Sequence, residues 1–187
     1  MPPRSLRSLP PEGAESVPWD GPAGLTTQAT SFSAKLRTPF AVLGLRSDGR
    51  AITQLTYLPL SERAQAPADK IAELAVRELE RYLADPQFRF TVPIATGGTA
   101  FQQRVWTALS GIPLGQSRTY GEVARMVRSA PRAIGQACGA NRIALIVPCH
   151  RVVGAMGSMG GFMNAESGDP IAIKRWLLTH EGYRFGM

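Results

Sequence analysis

Signals for the start of a helix follow one another in the second half of the chain, and they constrain its fold more than any other feature. The pairs Thr99–Gln102 and Thr119–Glu122 have the spacing of a capping box, in which each side chain bonds a free backbone N–H group of the first turn. Pro131 suits the first position of a further helix, which we expect to run to about Ala140. The last two helices are short and separated by a tight break, so the sequence predicts a helix-turn-helix.

The first half predicts strands and one helix. Stretches rich in Thr, Val, Ile, Leu and Phe lie between turn signals at Thr27–Leu36, Phe40–Arg46 and Ala51–Leu58. Asp69–Leu83 has apolar residues near helical spacing, and Asp85 followed by proline ends it. We therefore expect an α/β fold of the α+β type: an antiparallel three-stranded sheet with a helix, followed by a mostly helical half.

Composition divides the chain into three predicted parts. Residues 1–24 are rich in Pro and Gly without periodicity, which predicts a flexible tail. Residues 25–97 form a predicted α/β domain, and residues 98–187 a second domain beyond a Thr-Gly-Gly hinge. No apolar run approaches the roughly 20 residues that span a bilayer, and the N-terminus lacks the apolar core of a signal peptide. We expect a cytoplasmic protein with no membrane partner.

The positive charge lies mainly in the second half. The net charge is +7; residues 1–97 hold 11 Lys and Arg against 10 Asp and Glu, whereas residues 98–187 hold 10 against 4. Such a basic half suits a polyanion such as nucleic acid, with a solvated arginine-rich surface as the alternative. Two cysteines and two histidines give no spacing typical of a zinc site, so we expect no metal and no cofactor.

The helix predicted from Pro131 carries few groups able to read DNA bases. Only Arg132 and Gln136 are of the types that bond base edges. Gly135 and Gly139 share one face with little side-chain bulk, which permits close approach either to a ligand or to the protein's own interior. If the helix binds DNA, it recognises shape and phosphate rather than sequence.

The segment Ile146–Val153 contains the candidate nucleophile. We expect a buried apolar strand to deliver Cys149 at its end, directly after Pro148. A free thiol has a pKa of about 8.5, so reactivity at neutral pH requires a base or a positive neighbour, and His150 and Arg151 follow directly. Because neighbouring residues of a strand point to opposite faces, we expect a water molecule between Cys149 and His150. An inert buried cysteine is the alternative.

The segment Pro148–Val152 resembles the active-site motif of the O6-alkylguanine-DNA alkyltransferases, also called methylated-DNA–protein-cysteine methyltransferases. Other residues fall in that family's order: Phe101, Val105, Trp106, Ile112, Pro113, Gly115, Thr119, Tyr120, Gly121, Ala124, Arg132, Ala133, Ile134, Gly135, Asn141, Gly157, Lys174, Leu177, Leu178, His180, Glu181 and Gly182. The resemblance covers roughly residues 99–183. It implies a ribonuclease H-like N-terminal outline and a winged-helix-like C-terminal domain.

The resemblance implies an irreversible DNA-repair reaction. The protein would bind duplex DNA through the minor groove, rotate an O6-alkylguanine out of the helix, and transfer the alkyl group to Cys149, once per molecule. His150, reached through water, would act as the base, and Glu181 would orient it. O4-alkylthymine as a second substrate stays open. We expect a monomer associated with the nucleoid when bound to DNA, and cooperative binding stays open.

The resemblance also assigns roles by position. Tyr120 would donate a proton to the guanine and press on the rotating phosphate; Arg132 would fill the space left by the flipped base; Asn141 would tie the recognition helix to the active-site strand. The predicted DNA-binding residues are Arg132, Tyr120, Gln136, Gly135, Arg142 and Arg151. The predicted pocket residues are Val152, Phe162 and Met163.

The chain departs from the family pattern at the predicted pocket. Arg142 and Ala144 stand where members often have proline, and Phe162 stands where many have tyrosine, so a backbone N–H near Met163 would have to bond guanine O6. Met163–Pro170 is longer than in compact relatives, and its glycine-rich surroundings predict a mobile lid. These departures leave the range of alkyl groups open.

Three other functions compete with repair by alkyl transfer. A lesion-binding protein of the alkyltransferase-like type would lack the cysteine, which this chain has at Cys149. A transcriptional regulator would need a helix that reads more bases than this one. A cysteine hydrolase would need a further histidine with its own partner, and His180 belongs to the motif that ends in Glu181.

Overall fold

The computed structural model describes residues 31–165 and 168–185, and residues from Ser31 onward form one compact unit. The predicted tail at 1–24 lies outside the described residues, as does the start of the first predicted strand. The strands of the sheet are β1 (Ala34–Arg37), β2 (Val42–Ser47) and β3 (Ile52–Leu58). The helices are α1 (Lys70–Ala84), α2 (Ala100–Ser110), α3 (Tyr120–Met126), α4 (Pro131–Gly139) and α5 (Asp169–His180).

The predicted mixed α/β class with an antiparallel three-stranded sheet is confirmed. The strands pair in the order β1-β2-β3, with Leu36 opposite Leu43 and Leu45 opposite Leu55. Among the described residues β1 begins only at Ala34, later than predicted, because its pairing with β2 starts there. Leu55 and Tyr57 of β3 are both buried, two positions apart as the period of a strand requires, and β3 contacts α1.

Capping residues set the ends of the helices much as predicted. The Asp69 side chain accepts hydrogen bonds from the first backbone N–H groups of α1, and Asp85 follows its last turn. Both capping boxes, at the starts of α2 and α3, are present with their reciprocal bonds. α4 begins at Pro131 and ends at Gly139.

One prediction about the second half is wrong. The apolar strand expected before Cys149 is replaced by turns and isolated bridges. The Val147 N–H donates back to the Ile143 carbonyl at 3.0 Å, and Leu145 has φ 90°, which no extended strand allows.

The sheet holds the turn that precedes Cys149. The Leu55 N–H of β3 donates to the Arg142 carbonyl at 2.8 Å, and Leu55 forms a bridge with Ile143. One apolar core runs without a break from the sheet and α1 to α2, α4 and α5. The domain boundary at residues 97 and 98 stays a prediction. No helix in the described part of the chain has the length and apolar character needed to cross a membrane.

Candidate active site

Cys149 begins a single 3-10 turn, Cys149–Arg151, which follows Pro148 and leads into the short strand β5 (Val152–Val153). β5 pairs in parallel with β4 (Arg118–Thr119), the residues directly before α3. The chain therefore turns where a strand was predicted. Cys149 is 5% exposed and lies in the wall of a cavity.

Asn141 joins the end of α4 to this turn. Its Nδ2 donates to the Val147 carbonyl at 2.9 Å and to Cys149 Sγ at 3.3 Å, while its Oδ1 accepts from the Ile143 N–H at 3.0 Å. Burial raises the pKa of the Cys149 thiol, and the Asn141 hydrogen bond opposes that rise because it favours the thiolate. The predicted link between helix and nucleophile is thus present, and it includes the sulfur itself.

His150 and Glu181 form a buried pair next to the cysteine. His150 Nε2 lies 3.0 Å from Glu181 Oε1, and both side chains are almost fully inaccessible to solvent. Burial lowers the pKa of His150, so the imidazole is neutral at neutral pH. The neutral ring must then donate from Nε2 to the carboxylate, which leaves Nδ1 as the acceptor. Nδ1 is buried and bonds no described protein atom.

Arg151 fixes the same carboxylate. Its Nε donates to Glu181 Oε2 at 2.8 Å, its Nη2 to Glu181 Oε1 at 2.9 Å, and its Nη1 to the Ile112 carbonyl at 2.6 Å. All three guanidinium nitrogens are bonded within the protein, and the DNA contact of Arg151 stays a prediction. Burial alone would raise the pKa of Glu181, but the hydrogen bonds from His150 and Arg151 outweigh it and lower the pKa to about 2.

A third group bonds Glu181, and it comes from the first half of the chain. The Tyr82 hydroxyl, on α1, donates to Glu181 Oε1 at 2.9 Å. The sequence reasoning missed this residue, since 99 positions separate the two and no local motif connects them. The one available signal was a tyrosine near the end of an amphipathic helix that was otherwise assigned to packing.

The cavity beside Cys149 has a volume of about 530 Å³. Its lining includes six predicted site residues, namely Tyr120, Arg132, Gly135, Cys149, Phe162 and Met163, together with the second cysteine, Cys138. Val152 was predicted to line it but is fully buried in the core and does not. Gln136 and Arg142 are exposed and lie outside the lining. A larger depression on the outer side of α2 contains none of the predicted catalytic residues.

A buried lysine bonds residues of the segment 159–161, which we call the rim of the cavity. Lys174, on α5, donates through Nζ to the carbonyls of Val152 at 2.6 Å, Met159 at 2.5 Å and Gly161 at 3.0 Å. Burial lowers its pKa to about 8. The Tyr120 hydroxyl also donates to the Gly161 carbonyl, at 3.0 Å, so Tyr120 and Lys174 bond the same residue.

The loop predicted at Met163–Pro170 is shorter in the structure, because α5 already begins at Asp169. Phe162 and Ala165 form a tight turn with reciprocal backbone hydrogen bonds of 2.8 and 2.9 Å. Residues 166 and 167 lie outside the described part of the chain, and the mobility of the loop stays a prediction. The described residues contain no cluster of three or more His, Cys, Asp or Glu side chains able to hold a metal ion.

Both the sequence and the structure are similar to those of known proteins. The family model for the 6-O-methylguanine DNA methyltransferase DNA-binding domain matches residues 100–183. A methylated-DNA–protein-cysteine methyltransferase from Methanosarcina acetivorans is 35% identical over 158 residues, which are 81% of this chain and 98% of the relative. One from Mycobacterium tuberculosis is 42% identical over 154 residues, 79% of this chain and 90% of the relative. The structure of Mycobacterium tuberculosis OGT in complex with DNA is similar, with a TM-score of 0.68, 39% identity and coverage of 79% of this chain and 91% of that one.

Proposed function

The chain belongs to the methylated-DNA–protein-cysteine methyltransferase family, and we propose from this premise which of its residues carry out the reaction. The protein repairs DNA by transferring an alkyl group from O6-alkylguanine to a cysteine of its own, and its partner is DNA that contains the alkylated guanine. We propose Cys149 as the acceptor. The observation that carries this is a cysteine in a cavity wall, bonded at sulfur by Asn141 and followed by a buried His–Glu pair.

In the proposed reaction a proton leaves the Cys149 thiol and passes through a water molecule to His150 Nδ1. The orphaned, buried Nδ1 supports this, because a buried polar atom without a protein partner calls for water. Glu181 then stabilises the imidazolium through Nε2, and the Asn141 amide stabilises the thiolate. The logic is that of a nucleophile activated by an oriented base.

The thiolate attacks the alkyl carbon in line. A sulfur–carbon bond forms as the bond between that carbon and guanine O6 breaks, and the bonding electrons go to the purine. We propose that Tyr120 supplies a proton to the leaving guanine as this charge develops. Its hydroxyl now donates to the Gly161 carbonyl at the cavity rim, within the space that the base would enter. The thioether product resists hydrolysis, so each molecule reacts once.

We propose that α4 presents the DNA-binding residues. Arg132 is exposed at the mouth of the cavity, where it can occupy the place of the extruded nucleotide. Gly135 lines the same mouth, and its missing side chain permits close approach of a backbone. Gln136 and Arg142 are exposed and available to phosphates. Phe162 and Met163 form the proposed wall for the guanine and the alkyl group.

We also propose the finer fold assignments. The antiparallel β1-β2-β3 sheet followed by α1 supports a ribonuclease H-like N-terminal domain up to residue 97. The α3–α4 pair with the β4–β5 ribbon beside it supports a winged-helix-like C-terminal domain. A protein with this reaction would act at the nucleoid as a monomer, with O4-alkylthymine as a second candidate substrate.

Incubation with a duplex that carries O6-methylguanine, followed by intact-protein mass spectrometry, tests the assignment. We expect the mass of one methyl group to be added to the wild-type protein and not to Cys149→Ser. Cys138→Ser is the matched control, because Cys138 is the other cysteine and lines the same cavity. It should accept one methyl group as the wild type does. Methylation of Cys149→Ser, or its loss in Cys138→Ser alone, would contradict the role of Cys149.

A further inference from the structure

Tyr82 is buried at the junction of α1 and α5. Its ring makes an edge-on contact with the His180 ring, whose centroid is 5.2 Å away, and a tilted contact with Phe90 at 5.4 Å. The Tyr82 carbonyl accepts a hydrogen bond from His180 Nε2 at 2.8 Å. Both the ring and the backbone of Tyr82 are therefore held, and the hydroxyl has one fixed direction, toward Glu181.

The hydroxyl shares an oxygen with the base. Glu181 Oε1 lies 2.9 Å from the Tyr82 hydroxyl and 3.0 Å from His150 Nε2, and it also accepts from Arg151 Nη2 at 2.9 Å. Oε2 accepts from Arg151 Nε alone among the described residues. Each donor draws on the negative charge of the oxygen that it bonds. A hydrogen bond from Tyr82 to Oε1 therefore weakens the electrostatic attraction between Oε1 and His150.

We propose that Tyr82 is a positioning residue for the alkyl transfer: its hydroxyl divides the charge of Glu181 Oε1 and thereby keeps the His150 imidazole neutral, with Nδ1 free to accept the thiol proton. The proposal rests on the proposed function for its catalytic meaning, but the effect on His150 exists without any substrate. If the hydroxyl were absent, Oε1 would place more charge against Nε2 and favour the imidazolium.

The other charged and titratable groups around the pair would remain in place. Arg151, from the same turn, bonds both oxygens of Glu181, and Lys174, from α5, adds a second positive charge that disfavours the imidazolium. Cys149 is the neighbouring titratable group in the turn. Because Arg151 continues to hold Glu181 with two hydrogen bonds, loss of the Tyr82 hydroxyl should change the charge on Oε1 more than the position of the carboxylate.

Nuclear magnetic resonance titration of the histidines tests this directly. The chain has only two histidines, His150 and His180, so each resonance can be assigned by a single substitution. In Tyr82→Phe, which keeps the ring, we expect the His150 titration midpoint to rise by about one pH unit, a tenfold change in proton affinity. Tyr183→Phe removes a hydroxyl for which the described residues provide no hydrogen bond, and it should leave the midpoint unchanged. An unshifted His150 in folded Tyr82→Phe overturns the proposal.

Two further measurements keep the outcome decisive. If Tyr82→Phe does not fold, the second variant carries 3-fluorotyrosine at position 82. Its hydroxyl is more acidic and therefore a stronger hydrogen-bond donor, so the titration midpoint of His150 should fall instead of rise. A midpoint that does not fall overturns the proposal. Single-turnover methyl transfer across pH should show the acid limb of the Tyr82→Phe profile displaced upward by the same amount. Wild-type protein that transfers no methyl group would refute the proposed function, whereas the titration would still decide the role of Tyr82.

Discussion

At the scale of single residues, the site depends on one carboxylate. Glu181 is buried, yet its pKa is lowered to about 2, because hydrogen bonds from His150 and Arg151 outweigh the cost of burying its charge. Its partners are the cationic Arg151, the neutral Tyr82, and His150, which becomes cationic in the proposed reaction. The stability of the turn and the basicity of His150 are therefore set by the same side chain.

Glu181→Gln should be strongly destabilising. The amide oxygen can accept a hydrogen bond from Arg151 but leaves its partly buried guanidinium without a counter-charge, and breaking a buried pair in this way costs about 3–5 kcal/mol of the free energy of unfolding. Glu73→Gln is the matched control, because Glu73 pairs with Arg77 on the exposed face of α1 and should cost less than about 0.5 kcal/mol. Urea unfolding at pH 7 measures both, and equal costs would show that the Glu181–Arg151 pair contributes little.

The same variant should change how stability depends on pH. The folded pKa of Glu181 is depressed, so its contribution is present above the unfolded value of 4.5 and is lost as the pH falls from there toward about 2. Glu181→Gln removes this part of the acid sensitivity. Unfolding of Glu181→Gln and the wild type at pH 7 and pH 4 would therefore give a smaller difference between the two variants at pH 4.

At the scale of elements, three parts of the chain meet at the cavity rim. Lys174 of α5 binds carbonyls of β5 and of the rim, and Tyr120 of α3 bonds the same rim at Gly161. Gly160, between two of the bonded rim residues, has φ 60°, and a Cβ there would lie 2.8 Å from the Tyr120 ring and 3.1 Å from the Gly154 nitrogen. The rim thus follows a path that only glycine allows, directly against the tyrosine.

Gly160→Ala should impair methyl transfer. The methyl group must push the Tyr120 ring aside, and a catalytic group displaced by about 1 Å can cost about 100-fold in rate. Gly49→Ala has the same backbone strain, with φ 83°, but its Cβ would meet open space, so its transfer rate should equal that of the wild type. Single-turnover rates on an O6-methylguanine duplex compare the two. A normal rate in Gly160→Ala would mean that the position of Tyr120 does not limit the reaction.

Local signals in the sequence predicted the elements whose ends depend on neighbouring residues. The capping boxes gave the starts of α2 and α3, and Pro131 gave the start of α4. The turn before Cys149 was missed because contacts from other elements shape it: β3 bonds the Arg142 carbonyl, and Asn141 bonds Val147 and Cys149. An apolar run without these contacts has the composition of a strand.

In the candidate site, too, short motifs predicted some residues, and contacts between distant elements determine the others. Cys149, His150 and Glu181 were predicted because they lie in short motifs, and the structure brings all three together. The inward direction of Arg151 and the contribution of Tyr82 were not predictable, since both depend on how α1 and α5 pack around Glu181. Residue type alone suggested a phosphate contact for Arg151, whereas the structure directs its guanidinium to Glu181 and to the Ile112 carbonyl.

At the scale of the whole molecule, the net charge of +7 overstates the positive charge that is available to contact DNA. Lys174 is fully buried, and the guanidinium of Arg151 is bonded to Glu181 and to the Ile112 carbonyl, with 15% of its side chain exposed. Four arginines are exposed on or beside the α3–α4 pair, namely Arg125, Arg128, Arg132 and Arg142. Only such exposed cations can displace counterions from phosphate, so the salt dependence of binding counts the arginines that the fold leaves available.

The affinity of the protein for duplex DNA should therefore fall steeply as the salt concentration rises. We choose Cys149→Ser for this titration because it cannot react with the DNA during the measurement. The logarithm of the binding constant falls by about 0.9 per neutralised phosphate for each unit of log salt, so four arginine contacts predict a slope near −3.6. Adding Arg142→Ala should reduce the slope by about 1, whereas Arg77→Ala, on α1 and paired with Glu73, should leave it unchanged. A flat response, or an equal effect of the two substitutions, would mean that the helix-turn-helix does not form the DNA-binding surface.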